Sequence, residues 1–140
     1  MTKEQLATMA KGAMEQAYSP YSGYKVGAAL LCKDGSVYTG CNVENASFSA
    51  TNCAERTAFF KAVSEGKKEF AAIAICGGKD GVIDGLFPPC GVCRQVMREF
   101  CEDNFEIYLL KSDGIETYTL EQLLPVSFRP ENLQIGRAHV

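Results

Sequence analysis

Three cysteines constrain this chain more than anything else in it. Cys90-x-x-Cys93 has the spacing at which two thiolates grip one tetrahedral zinc ion, and Cys53 offers a third soft ligand. Between them lies the apolar run Phe70 to Cys76, read as a buried strand. Asn52 is a good helix N-cap, and Glu55 three residues later completes a capping box, so a helix is predicted over 53–64 with Gly66 ending it. Pro89 suits the first position of a second helix over 90–101. Cys53, Cys90 and Cys93 then fall in first turns, where partial positive charge favours a thiolate. A fold that joins them must bring two helix N-termini to one ion. Arg56 and Arg94 stand close enough in sequence to offset the formal minus one of three thiolates on a divalent metal.

The spacing alone leaves two other uses open. A thioredoxin-like redox pair should follow a first strand, whereas this pair comes late, after two prolines. A structural zinc module needs a fourth protein ligand. The only histidine, His139, is the penultimate residue, so that ligand would be another cysteine or a carboxylate. Three protein ligands instead leave a position for water, which is the mark of catalytic zinc. Glu55, two residues from a ligand, can then carry a proton for that water.

The remaining chain reads as scaffold. Thr2 with Gln5 caps a helix running to Tyr18, with Leu6, Met9, Ala10, Ala13, Met14 and Ala17 as its apolar stripe. Ser19 to Gly23 breaks it. Tyr24 to Cys32 is a strand buried on both faces, Asp34-Gly35 a hairpin turn, and Ser36 to Asn42 the partner strand. Asn42 and Glu44 share a direction by strand alternation and together can hold a sugar hydroxyl, although such a pair is more commonly a solvated loop. Gly77 to Pro89 is a loop near the site. In the second metal-bearing helix Val92, Val96 and Phe100 face inward. Phe105 to Leu110 and Ile115 to Tyr118 are strands about the Asp113-Gly114 turn. A short helix opens at Thr119 and stops at Pro125.

With 140 residues the chain is expected to form one domain, 1–140. Hydrophobic content of 46% and charged content of 22% fit a soluble globular protein with no membrane span. A net charge of −3 lacks the general basic footprint of a nucleic-acid binder and favours a small substrate. Seven cysteines, with no signal peptide, fit free thiols in a reducing cytoplasm. Cys32, Cys41, Cys76 and Cys101 are expected as small buried apolar residues.

Cys53-Ala54-Glu55 followed by Pro89-Cys90-Gly91-Val92-Cys93-Arg94-Gln95 resembles the zinc-dependent cytidine deaminases, in the small, homotetrameric three-cysteine form that acts on free nucleosides. The resemblance runs from about residue 19 to residue 130. It implies a three-layer α/β/α sandwich around a five-stranded mixed sheet, one zinc ion per subunit, and hydrolytic deamination of cytidine and 2′-deoxycytidine in pyrimidine salvage. It implies that Cys53, Cys90 and Cys93 hold the metal, that Glu55 carries protons, and that Asn42 and Glu44 bind the ribose. The backbone around Ala54 would orient the base, Arg56 would tune the thiolates, and Phe128 would help close a pocket. Two positions depart from the family pattern. Tyr24 stands where Phe is usual against the pyrimidine, and Phe48 where relatives carry Tyr and contact a neighbouring subunit's site. The same chemistry on an aminonucleoside antibiotic or free cytosine, nucleic-acid editing and a structural zinc module are the rival readings.

Overall fold

Helix α1, Lys3–Ala13, starts where the sequence says it should: the Gln5 amide N–H donates to Thr2 Oγ1 at 3.1 Å and the Thr2 N–H to Gln5 Oε1 at 2.9 Å. The computed structural model describes residues 1–133; the sequence reading of His139 lies outside them. α1 ends earlier than predicted, passing through a 3₁₀ turn at Met14–Gln16. Tertiary pairing draws the chain out of the helix: the Tyr18 N–H donates to the Asn42 carbonyl at 3.0 Å and the Glu44 N–H to the Tyr18 carbonyl at 2.8 Å.

Strands β1, Tyr24–Cys32, and β2, Val37–Cys41, form the predicted hairpin. Helix α2, Ala54–Ser64, leads into β3, Phe70–Lys79; helix α3, Gly91–Phe100, crosses to β4, Glu106–Lys111, and β5 is Gly114–Thr119. A one-turn helix α4, Leu120–Leu123, is capped by Thr119 and Gln122, and α5 is Pro130–Leu133. The sheet order is β2-β1-β3-β4-β5, with only β3 and β4 parallel. One helix-length crossover supplies that parallel pair, as the chain direction demands.

Side-chain alternation splits the core into two layers. Val26, Ala28, Leu30, Ile73, Ile75, Ile107 and Leu109 meet Ala58, Phe59 and Ala62 of α2 and Met97 of α3 on one face. Ala29, Ala72, Ala74 and Cys76 meet Leu6, Ala7, Ala10 and Met14 of α1 on the other. This is the expected three-layer sandwich around a five-stranded mixed sheet. Phe59 ties α2 to the far end of α3 through Phe70, Phe100 and Phe105, with ring centroids 5.0 to 6.3 Å apart. Truncating such a buried ring costs about 3–5 kcal/mol.

Three local expectations need correction. Val92 is 57% exposed and Met97 fully buried, so the inward stripe of α3 runs through Cys93, Val96, Met97 and Phe100. Cys41 is only half-buried, unlike Cys32, Cys76 and Cys101. Gly77 and Gly78 belong to β3 and do not break it. A Cβ on Gly78 would stand 1.8 Å from the Val82 carbonyl oxygen, so the glycine lets the following loop fold back onto the strand. Gly40 acts likewise on β2: a Cβ there would lie 2.5 Å from the Ala54 carbonyl and 2.6 Å from the Ala58 nitrogen. Its absence seats the first turn of α2 directly on the sheet.

Candidate active site

The first turns of α2 and α3 open at the same place. The Sγ atoms of Cys53, Cys90 and Cys93 all lie within 4.8 Å of one another, with Cys53 and Cys90 at 3.7 Å. Two thiolates on adjacent corners of a tetrahedron with Zn–S bonds of about 2.3 Å stand about 3.8 Å apart, so the cluster fits zinc. Among the described residues no fourth ligand-type side chain joins the group, although every cysteine of the chain lies among them. Three protein ligands are the number that leaves a zinc ion a position for water.

The helix starts differ by one residue from expectation. Cys53, not Asn52, is the N-cap of α2, because the Asn52 backbone is paired with Val43 through two 2.9 Å hydrogen bonds and its side-chain amide donates to Thr57 Oγ1 at 3.1 Å. Glu55 consequently forms no capping box. It turns inward and is only 4% exposed. Cys90, not Pro89, is the boundary residue of α3, and its sulfur accepts the Cys93 N–H at 3.4 Å. A sulfur at an N-cap faces the orphan N–H groups of its helix, which favours the thiolate.

Electrostatics follow from this packing. The Cys53 thiol is lowered to about 5, first by the hydrogen bond from the Cys93 thiol, then by those from Arg56 and Cys90, against the cost of burial. Arg56 Nη2 stands 3.2 Å from the Cys53 sulfur. Cys93, the donor in that pair and itself buried, is pushed well up. Burial raises the Glu55 carboxyl to about 7, with the charge on Cys53 adding to it. Arg94 does not serve the thiolates as predicted. Its guanidinium bonds the carbonyls of Pro89 and Leu123, both at 2.8 Å, and fixes the approach to α3.

A cleft of about 290 Å³ opens onto the cluster, lined by Tyr24, Val26, Asn42, Glu44, Ala54, Glu55, Phe87 and Pro88, with Cys53 and Cys90 at its end. Asn42 is 8% exposed and bridges the start of β1: its Oδ1 accepts from the Val26 N–H at 2.9 Å and its Nδ2 donates to the Tyr24 carbonyl at 2.8 Å. Glu44 is held by the N–H groups of Tyr21 and Ser22, at 2.9 and 3.1 Å, and by the Ser22 hydroxyl. The Ser22 hydroxyl, followed by these N–H groups, keeps its carboxyl below the usual carboxylate range. The sequence-predicted residues Tyr24, Asn42, Glu44, Cys53, Ala54, Glu55 and Cys90 thus line one cleft, with Cys93 and Arg56 beside its thiol end.

Phe128 lies elsewhere. It is 59% exposed and absent from the cleft wall, although Gln95 Nε2 holds its carbonyl at 2.8 Å. Phe48 is also exposed, beside a second groove that shares Ser22, Glu44 and Thr51 with the cleft. Sequence reasoning missed Phe87 and Pro88 as cleft walls. The aromatic and proline directly ahead of Pro89-Cys90 were the available signal, because whatever precedes an α3 start at the metal must pass the site.

Residues 1–109 match the family model described as the cytidine and deoxycytidylate deaminase zinc-binding region. A cytidine deaminase of Sporosarcina psychrophila is 52% identical over 134 residues, 95% of this chain and 96% of that one. Another, of Halalkalibacterium halodurans, is 48% identical over 134 residues, 95% of this chain and 98% of that one. The crystal structure of cytidine deaminase from Burkholderia pseudomallei superposes with a TM-score of 0.84 at 47% identity, covering 91% of this chain and 100% of that chain. A match across most of the chain, at these identities and on the same fold, means that this chain belongs to the zinc-binding cytidine and deoxycytidylate deaminase family.

Proposed function

We propose that this protein hydrolytically deaminates cytidine and 2′-deoxycytidine, giving uridine or 2′-deoxyuridine and ammonia. The observation that carries the reading is the meeting at one cleft of three clustered thiols, a buried carboxyl and the Asn42–Glu44 pair. Zinc held by Cys53, Cys90 and Cys93 supplies a Lewis acid that lowers the pKa of a water towards about 7.

The chain's own residues do the rest. Glu55 accepts a proton from the attacking water and delivers it to ring N3 as the oxygen adds at C4. It then passes the proton of the new C4 hydroxyl to the amino group, the C4–N bond breaks, and ammonia leaves a C4 carbonyl. Tyr24 gives the pyrimidine a flat wall, backed by Phe87 at a centroid distance of 6.1 Å. The backbone at Ala54, the first residue of α2, orients the base. Asn42 and Glu44 hold the ribose, chiefly its 3′-hydroxyl. Asn42 keeps one N–H and one lone pair free after its two backbone bonds. Glu44 already accepts three hydrogen bonds, which leaves one of its roughly four acceptor sites for a hydroxyl. Arg56 limits the negative charge on Cys53 and so tunes the metal.

A nucleoside is favoured over a nucleotide because no lysine or arginine among the described residues lines the cleft or the adjoining groove. The same feature, with a net charge of −3, weighs against nucleic acid as substrate. No helix among the described residues is long and apolar enough to cross a membrane. Residues 1–140 would act as one deaminase domain in cytoplasmic pyrimidine salvage, where the free thiols stay reduced. A homotetramer is supported by the exposed Phe48, Val126 and Phe128, which would complete a neighbouring pocket. Light scattering giving a monomer would remove that part of the proposal.

The test is ultraviolet absorbance of cytidine, 2′-deoxycytidine and cytidine 5′-monophosphate with purified protein, with ammonia assayed in parallel. Both nucleosides should convert and the nucleotide should not. Unchanged nucleosides would refute the reading.

A further inference from the structure

The cleft's two substrate walls come from separate parts of the chain, and one side chain outside the cleft touches the supports of both. Lys79, at the end of β3, pairs with Tyr24 at the start of β1. Its Nζ lies 5.3 Å from the Tyr24 ring centroid and donates to the Ser22 carbonyl at 2.8 Å. Ser22 is the residue whose N–H and hydroxyl hold Glu44, and its Oγ in turn accepts the Tyr24 N–H at 3.0 Å. The next residue of β3's exit, Asp80, donates its N–H to the Gly23 carbonyl at 2.7 Å, so the 22–24 turn is gripped twice from the same side. A Cβ on Gly23 would stand 2.9 Å from the Lys79 Nζ, which shows how closely the ammonium is seated on the turn.

We infer that Lys79 is a positioning residue: one ammonium fixes the Tyr24 ring and the Ser22 turn relative to each other, and so sets the distance between the base wall and the ribose carboxylate. It does not line the cleft. Its two contacts are a charge-assisted hydrogen bond and a cation–π contact, neither of which an uncharged side chain of the same length can make. The inference rests on the nucleoside reading of the cleft and deepens it. Holding the two walls at a set spacing favours substrate before and during reaction alike, so its loss should appear in KM more than in kcat.

The experiment measures kcat and KM for cytidine, together with zinc content and Tm, in wild type, Lys79→Met and Lys79→Arg. Met keeps the apolar stem; Arg keeps the charge and an N–H for Ser22. Lys79→Met should raise KM about tenfold, as expected for the loss of those two contacts. Its kcat should stay within about twofold and its zinc content unchanged, while Lys79→Arg should recover most of the KM. A KM change below about twofold in Lys79→Met overturns the inference, as does a joint fall of kcat and zinc content with KM unmoved. If the wild type turns over cytidine 5′-monophosphate after all and Lys79→Met loses that turnover alone, the ammonium is a phosphate ligand and the positioning role is wrong. Wild-type protein that leaves cytidine untouched overturns the deaminase reading itself, an outcome no Lys79 variant can mimic.

Discussion

Asn42→Ala separates two jobs of one side chain, the backbone bridge that the structure shows and the ribose contact that is proposed. The amide is nearly buried and closes the edge between β2 and β1 through the Val26 N–H and the Tyr24 carbonyl. Alanine removes both bonds and cannot replace either. Leaving a buried donor such as the Val26 N–H unmet costs about 1–3 kcal/mol, and the second bond is worth about 1 kcal/mol net. The expected destabilisation is therefore about 2–4 kcal/mol. For a domain of this size that lowers Tm by about 6–12 °C. Asn42→Asp keeps the acceptor for Val26 but sets a buried carboxylate oxygen against the Tyr24 carbonyl, so it should not recover the lost stability. On the proposed reading the same alanine should raise KM for cytidine, because it removes the amide N–H and lone pair assigned to the ribose. Thermal unfolding by circular dichroism, with steady-state kinetics on the same preparations, reads both effects. A Tm within about 2 °C of wild type would refute the structural half of the reasoning. An unchanged KM would refute the ribose half.

Glu55→Gln keeps the shape of a buried side chain and removes its proton chemistry. It should retain fold and zinc while kcat falls about 10²–10⁴-fold, and more than about a tenth of wild-type kcat would contradict the proton-carrying role. The Glu44 carboxyl sits below the ordinary carboxylate range, held first by the Ser22 hydroxyl and then by backbone N–H groups. A depressed carboxyl keeps its ionised contacts above the ordinary value and loses them only as pH falls through the lowered one. KM for cytidine should thus stay flat as pH falls from about 7 through about 4.3, and a rise centred at about 4.3 would show that Glu44 titrates normally.

Much of this was legible in the residues because the metal ligands tie local signals to a global constraint. Cys53 and Cys90-x-x-Cys93 can share one ion only if two helix starts converge, and the structure brings them together. The hairpin, the capping box at Thr2 and the short helix opening at Thr119 were equally local, and they stand. What failed was set by tertiary pairing. Asn52 has the chemistry of an N-cap, but its bridge to Val43 moves the helix start to Cys53 and frees Glu55 to turn inward. Gly77 and Gly78 look like loop residues, yet they serve a close approach within a strand. Val92 is apolar but falls on the solvent side of α3, because Cys93 must face the cluster and fixes the helix's rotation. Phe128 is not among these failures: read from resemblance, it is exposed in a single chain and apart from the cleft, and the pocket it would close is a neighbouring subunit's.

Zinc titration of the stripped protein tests the central claim most directly. Protein freed of metal by a chelator is resupplied with zinc in steps, and bound metal and cytidine turnover are read on the same samples. The account predicts that turnover is absent without metal and rises with bound zinc to a plateau at about one ion per chain, the capacity of a single three-thiolate site. A chain that holds its zinc and leaves cytidine unchanged would contradict it, and would return the three thiols to a purely structural role.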